Sequence, residues 1–445
     1  MLMPEVNKKI NILIIIHSVD ITNRAAVNYC KGINRNLFDV RALAYGKIGG
    51  KEKDYDAIGV EYVVADWDIE LIAGTIKKWQ IDAINFFGDG VNVPFEHTIF
   101  SRAREINPKI ILLETNFFGN YEPKVFSLLD CSLQVSKMMM NERYVKKVGY
   151  FDFDRMKIIY HAIDCEGWDK IGITDDEVKA FKNKLGIKES DFVIGKLCRP
   201  HIAKWNDLLL DMMPYLVKLM PNIKFIVQEM PDSRKKLVRR SKHKDHYVLL
   251  NKSANDREVA LFYKTIDVYV HTSKIGESFG NTLAEAGAFS KPVIINSTPH
   301  RDNNQLELVE HMKTGIIANY PQTFARAIQH LYLNKDLRLQ MGKEARKKIS
   351  SAYNPRRIAE QLEKVIIEKM VKKNYYVNPG VVEHYGIIDY FPSQTEILAY
   401  KDEYKKRLKQ EYGQLSVVER FINYLNKPKK FYIKVRDFIE HRFGI

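Results

Sequence analysis

The sequence predicts an α/β protein made of two doubly wound parallel-sheet domains and a C-terminal extension. Three observations predict it. Short apolar runs alternate with helix-spaced segments from residue 10 to 160 and again from 192 to 350, the pattern of βαβ units. One stretch, VYVHTSKIGESFGNTLAEAGAFSKP (268–292), reads as strand, polar loop and helix, and a further apolar run, Val293 to Ile295, follows directly. Finally, 445 residues at 45% hydrophobic content suffice for two or three domains with large cores.

In chain order, an isoleucine-rich strand at 11–17 runs into a polar loop, 18–23, and a helix at 24–36. Strand-like runs follow at 40–45 and 60–65, then a helix at 69–79 and a strand at 81–87 ending in Gly88-Asp89-Gly90. A helix at 97–106, strands at 109–113 and 131–135, a helix after Ser136 and a strand at 157–160 complete a first domain, 1–165. Polar helix 173–185 lies in an interdomain region, 166–190. The second domain, 166–352 with that region included, carries strands at 192–198, 224–228, 247–250, 266–270 and 293–295. Its helices are expected at 205–220, 256–264, from 281, at 324–332 and at 337–350. A helix at 356–372, within 353–373, is expected to cross back, and 374–445 is an aromatic, basic extension.

Composition narrows the function. No apolar run approaches the roughly 18 residues that span a bilayer. The run at 10–16 is too short and lacks a signal-peptide cleavage pattern, so the expected location is cytoplasmic or peripheral to a membrane. Cys30, Cys131, Cys165 and Cys198 are widely separated and form no CxxC pair, which suits buried thiols of a reducing compartment. The formal charge of +15 asks for an anionic partner. No nucleic-acid-binding motif or concentrated arginine arm is present. An anionic nucleotide-sugar or an anionic membrane surface accounts for the charge instead.

The chemistry concentrates in 268–292. Glu277 lies just before the helix and Glu285 inside its second turn. Between them Ser278, Phe279, Gly280, Asn281 and Thr282 form the turn and helix start, where unpaired N–H groups and the helix dipole attract an anion. Carboxylates repel phosphate, so the two glutamates suit the neutral hydroxyls of a sugar or ribose. Gly280 admits a close backbone approach. The plainer alternative is a core helix with a capping loop.

The run from Glu277 to Val293 resembles the signature of retaining family 4 glycosyltransferases of the GT-B fold. In that signature two glutamates flank seven residues and precede small residues and a Pro-Val strand. Here Ala286, Gly287, Lys291, Pro292 and Val293 continue the match. Arg199 and, five residues on, Lys204 resemble the family's Arg/Lys pair for the donor diphosphate, where fixed cations stabilise charge on the departing group; an exposed basic loop is the alternative. His161-Ala162-Ile163-Asp164 resembles the family's Asn-Gly-Val-Asp exit from the first domain. Glu307-Leu308-Val309 and Thr314-Gly315 resemble its Glu-Ile-Val and Thr-Gly elements. Two departures stand out: loop 17–23 lacks the family's glycines, and Leu113-Glu114-Thr115-Asn116-Phe117-Phe118-Gly119 lacks its histidine. Glu114 and Asn116 are candidates for sugar or acceptor contact there, or strand-end residues that satisfy local backbone groups.

The resemblance covers roughly residues 8–372 and is strongest after Asp191. It implies two Rossmann-like domains facing a central cleft. It further implies a retaining transfer of a hexosyl group from a nucleoside diphosphate sugar to a glycan or lipid-linked acceptor, in surface polysaccharide or glycolipid synthesis. Glu277 is expected on donor sugar hydroxyls, Glu285 on the ribose, and Arg199, Lys204 and the amides near Gly280 to Thr282 on the diphosphate. Neither an Asp-x-Asp in the donor loop nor clustered histidines is present, so no metal or other cofactor is expected. The rival reading is a non-catalytic GT-B protein that binds a sugar nucleotide or a partner. From Lys372 to Ile445 there are 14 Lys and Arg against 9 Asp and Glu, net +5. Helical apolar spacing is expected at 400–412 and 417–424. Lys427, Lys429, Lys430, Lys434 and Arg436 interleave with Phe431, Tyr432, Ile433 and Phe438, which suits either an anionic membrane surface or packing on the enzyme or a partner.

Overall fold

A computed structural model describes residues 9–420 apart from 18, 21–23, 47, 50–51, 89–92, 300 and 419. Much of loop 18–23, Asp89 and Gly90, His300, and the basic aromatic run 427–438 therefore lie outside the described residues.

The first half forms a sheet of seven strands. These are β1 (Ile10–Ile16), β2 (Phe38–Ala44), β3 (Tyr62–Val64), β4 (Ala83–Gly88), β5 (Ile111–Asn116), β6 (Cys131–Gln134) and β7 (Met156–Ile158). They are all parallel, in the order β3-β2-β1-β4-β5-β6-β7. A parallel sheet is covered on both faces, so its central strands are apolar throughout rather than alternating. In β1, Ile12, Ile14 and Ile16 pack into one core cluster and Leu13 and Ile15 into another. Each such side chain stabilises the fold by about 1.5–3 kcal/mol through burial.

The second sheet repeats the scheme with β8 (Phe192–Leu197), β9 (Ile223–Gln228), β10 (Tyr247–Leu250), β11 (Val268–His271), β12 (Val293–Ile295) and β13 (Gly315–Ile317). Its order is β10-β9-β8-β11-β12-β13, again all parallel. In both sheets the order reverses beside the first strand, between β1 and β4 and between β8 and β11. A crevice opens beyond the carboxyl ends of strands at such a switch point.

Five helices position the site: α1 (Arg24–Gly32), α2 (Asp256–Thr265), α3 (Asn281–Ala288), α4 (Pro355–Lys372) and α5 (Gln394–Leu408). Helix α4 lies on α1 of the first domain so closely that a Cβ at Gly32 would come within 2.1 Å of the Pro355 carbonyl oxygen. The described part of the extension packs on the protein. Tyr385 donates to the buried Glu363 carboxylate at 2.8 Å, and Tyr400 and Tyr404 enter the core shared by β11 and α3. All four cysteines are buried and unpaired. Among the described residues no helix is long and apolar enough to cross a membrane.

Several expected elements shift. The helix expected at 205–220 is broken into Leu208–Asp211 and Met213–Leu219, because Pro214 has no N–H to continue the first. Trp205 stays extended ahead of both. The helix expected from 400 begins at Gln394, where Ser393 and Glu396 form a capping box. Strand β5 runs on to Asn116, so Glu114 and Asn116 stand within the strand, paired with Phe86 and Gly88 of β4.

Candidate active site

Strands β8 and β11 are neighbours, and the loops that leave their carboxyl ends meet above the switch point. Lys204, from the loop after β8, places Nζ 3.0 Å from Glu277 Oε2 and 3.0 Å from the Gly276 carbonyl oxygen. The other carboxylate oxygen, Oε1, lies 3.0 Å from Nε2 of His271, the last residue of β11. The Glu277 backbone is fixed as well: its N–H donates to Gln305 Oε1 at 3.2 Å, and its carbonyl accepts from the Asn304 N–H at 2.9 Å. Gly276 sits in the left-handed region, φ 72°, where a Cβ would fall 1.5 Å from the Asp302 carbonyl oxygen.

Burial opposes charge on Glu277, but Lys204 and the hydrogen bond from His271 outweigh it and hold the carboxyl at about 2. Burial, reinforced by the nearby Lys196 ammonium, pushes His271 down to about 4 against the pull of Glu277. At neutral pH a carboxylate can only accept, so His271 Nε2 carries the proton and donates it. Its Nδ1 is buried without a hydrogen-bond partner. Beneath the loop the wholly buried Lys196 donates to the Thr272 carbonyl at 2.9 Å, and its Nζ lies 4.9 Å from the centre of the Trp205 ring. That anchors the exit of β11 to β8.

Residues 177–348 match the family described as Glycosyl transferases group 1. The alpha-monoglucosyldiacylglycerol synthase of Acholeplasma laidlawii is 26% identical over 298 residues, covering 64% of this chain and 72% of that protein. Among solved structures, a glycosyltransferase from Rickettsia africae ESF-5 superposes with a TM-score of 0.68 at 16% identity, covering 83% of this chain and 100% of that one. Anabaena Alr3699/HepE in complex with UDP gives 0.65 at 14% identity, over 81% of this chain and 100% of that one. The two-sheet architecture is the GT-B fold.

Within the matched region, Gly280 caps α3 in the left-handed region at φ 102°, ψ 58°. The Phe279 carbonyl accepts from Asn304 Nδ2 at 2.7 Å, which fixes the turn Ser278 to Thr282. The first amides of α3, at Asn281 and Thr282, have no carbonyl one turn back to serve and point out of the helix start. Glu285 is buried on α3. It accepts from Tyr263 Oη of α2 at 3.0 Å and from Arg24 Nη1 of α1 at 3.0 Å. Burial raises its carboxyl despite both partners. Arg24 also pairs with Asp256 at 2.5 Å and lies 5.0 Å from the Trp168 ring centre, so one guanidinium crosses from the first domain to the second.

The expected site residues thus divide. Lys204, Glu277 and the Ser278–Thr282 turn come together, and Glu285 stands further along the same helix. Arg199 is exposed and makes no ion pair among the described residues. Glu114 and Asn116 are buried in the other domain. Asn116 Nδ2 donates to both Glu114 oxygens at 3.3 Å and to the Asn120 carbonyl at 2.7 Å. A Cβ on Gly88 would fall 2.8 Å from one Glu114 oxygen and 3.3 Å from one Glu96 oxygen.

Sequence reasoning missed His271, Lys196 and Arg24. A histidine that closes the apolar run VYVH six residues before the acid was the available signal for the first. It also read His161 only as part of a domain exit. In the structure His161 Nδ1 lies 2.9 Å from Asn281 Oδ1, and its ring packs between Phe279 (4.8 Å) and Phe117 (5.2 Å). Burial pushes it down to about 4, so it is a neutral hinge piece between the first domain and the start of α3.

Proposed function

We propose that the chain is a retaining glycosyltransferase that moves a hexosyl group from a nucleoside diphosphate sugar to a glycan or lipid-linked acceptor. The observation that carries this reading is Glu277, held charged between Lys204 and His271 beside the Gly280 start of α3, at the switch point of the second sheet. Glu277 is proposed to accept hydroxyls of the donor sugar, and Glu285 those of the ribose. Lys204, Arg199 and the amides near Gly280 to Thr282 are proposed to hold the diphosphate. As the C1–O bond to the diphosphate breaks, its electron pair stays on the leaving oxygen. Lys204 and the α3 amides stabilise that growing charge, an effect worth about 3–4 kcal/mol per well-placed donor. The acceptor oxygen bonds to C1 from the same face, and its proton passes to the departing phosphate. No protein base and no metal enter this scheme.

The Anabaena HepE structures hold UDP, and one holds UDP-glucose, which supports a uridine donor. The Acholeplasma relative is named an alpha-monoglucosyldiacylglycerol synthase, which supports glycolipid or surface-glycan synthesis on the cytoplasmic face of a membrane. The basic aromatic segment 421–445 is proposed to hold the enzyme on an anionic surface.

The test is a thermal-shift and hydrolysis screen of UDP-, GDP- and ADP-sugars without added metal, with the anomer of the product read by NMR. Glu277→Gln and Lys204→Ala are expected to lower turnover by at least about a hundredfold while leaving the fold intact. Full activity in both would remove the assignment of this cleft. Stabilisation by a donor without hydrolysis or transfer to any acceptor tried would favour the non-catalytic reading.

A further inference from the structure

The second domain accounts for the donor in the proposed reaction, and the facing edge of the first sheet carries a feature that reading has not used. Four rings from the carboxyl ends of four strands meet there: His17 after β1, Tyr45 after β2, Trp67 after β3, and Phe95 in the helix after β4. Their centroids lie 5.0 Å apart for Tyr45–Trp67 and for Trp67–Phe95, 5.2 Å for His17–Tyr45 and 5.7 Å for His17–Trp67. Tyr45 is buried at the base, stacked 5.4 Å from Phe86, while Trp67 stands 41% exposed on top. Trp79, Trp168 and Trp205 are all buried, so Trp67 alone among the chain's four tryptophans is offered to solvent.

The backbone holds it there. Asp66 and Trp67 both adopt the left-handed region, φ 44° and 68°, which is rare for side chains of this kind and rarer for two in a row. The Trp67 N–H donates to the Tyr45 carbonyl at 2.5 Å and the Asp68 N–H to that of Ala65 at 2.9 Å, so the turn is tied to the neighbouring strand. Trp67 is flanked by two exposed carboxylates, Asp66 and Asp68. Asp68 uses one oxygen to cap the following helix, accepting from the Leu71 N–H at 3.0 Å.

We infer that Trp67 is the acceptor platform of this enzyme, and that the acceptor it takes is the terminal pyranose of an uncharged glycan. The inference rests on the proposed transferase reading and deepens it. A sugar ring has an apolar C–H face and a rim of hydroxyls. The indole offers a flat apolar surface to the first, and Asp66 and Asp68 accept from the second. The same two carboxylates repel a phospholipid headgroup or a phosphorylated acceptor. The position agrees: the rings sit at the carboxyl ends of the first sheet's strands, the end from which Arg24, opening the helix after β1, reaches Asp256 and Glu285 of the second domain.

The test uses the full chain. Methyl glycosides of glucose, galactose, mannose and N-acetylglucosamine, with maltose, lactose and cellobiose, are titrated by calorimetry and by tryptophan fluorescence; phosphatidylcholine vesicles carrying dioleoylglycerol serve as the lipid probe. At least one saccharide is expected to bind wild type and change its emission. Trp67→Ala should weaken that binding by at least about tenfold and Asp66→Asn several-fold. UDP affinity and melting temperature should be unchanged in both variants, which shows that they fold. The inference is overturned if no saccharide of the panel binds, if binding survives Trp67→Ala undiminished, or if only the vesicles change the Trp67 signal. UDP binding by wild type reports on the donor site separately, so its absence would count against that site and not against this one.

Discussion

Glu277 stays charged in a poorly hydrated place because two donors converge on it, and one of them, His271, stays neutral for the same reason of burial. The pH dependence follows from the directions. His271 is held at about 4, below the usual 6.5, so as pH falls the unfolded chain takes the proton first. Its share of stability is intact above 6.5 and drains away down to 4, up to about 3 kcal/mol in all. Glu277, held at about 2 against 4.5, contributes fully above 4.5 and loses its share only between 4.5 and 2. His271→Gln keeps an N–H donor for Glu277 and removes the first window. Urea unfolding between pH 7 and 4 should therefore be less acid-sensitive in this variant, and an unchanged slope would refute the neutral-histidine account. Arg24 carries a second prediction. It occupies the carboxylate proposed for the ribose, so Arg24→Ala should tighten UDP binding several-fold by calorimetry; weaker binding would show that Arg24 instead holds the nucleotide. Glu277 was legible in the sequence because an acid before a glycine-started helix announces itself locally, and Lys204 because its spacing from Arg199 resembles the family's pair. His271, Lys196 and Arg24 were not, since their roles arise from neighbours one strand away or across the cleft.

At the scale of elements, the longer strands were legible, while the three-residue edge strand β13 and the short helices were not. Continuous runs such as INILIII and the repeated spacing of strand and helix are set by burial on both faces, a property each segment carries by itself. The four-residue helix Leu208–Asp211 and the six-residue helix Cys165–Lys170 owe their form to Pro214 and to the Asp164 cap, which leave little periodicity to read. The loop between β11 and α3 shows how two glycines do different work. Gly276→Ala would drive a Cβ to 1.5 Å from the Asp302 carbonyl oxygen, so the loop must move and Glu277 with it. A fall in melting temperature of several degrees and loss of turnover are expected. At Gly280 the nearest neighbours of a Cβ are the flexible ends of Leu283 and Leu308, at 3.0 and 3.1 Å. Gly280→Ala should therefore cost only about 1 kcal/mol of stability, from its left-handed backbone, while weakening donor binding where the diphosphate approaches the chain. Equal thermal losses in the two variants would contradict this division.

The whole molecule is two Rossmann-like sheets joined by more than a linker. Arg24 bridges to Asp256 and Glu285, and Tyr160 donates to the half-buried Glu307 of the second domain at 3.1 Å. The Met138 N–H donates to the same carboxylate at 2.8 Å. The extension adds to this body, because Tyr404 accepts from Asn303 Nδ2 at 2.9 Å and Tyr385 and Tyr400 are buried. Sequence reasoning left open whether the extension packs on the protein or meets a membrane, and the described residues answer for its first part. Helices Pro379–Gly386 and α5 are part of the packed protein, while the interleaved lysines and aromatics beyond residue 420 keep the composition of a surface-seeking segment. Removing everything from residue 374 should therefore uncover the core that Tyr385, Tyr400 and Tyr404 pack against and lower the melting temperature sharply. A chain ending at Arg420 should melt like the full protein and keep its UDP affinity, yet lose most of its binding to phosphatidylglycerol vesicles at low salt. Undiminished vesicle binding by that shorter chain would place the membrane contact on the folded body and leave residues 421–445 without the role proposed for them.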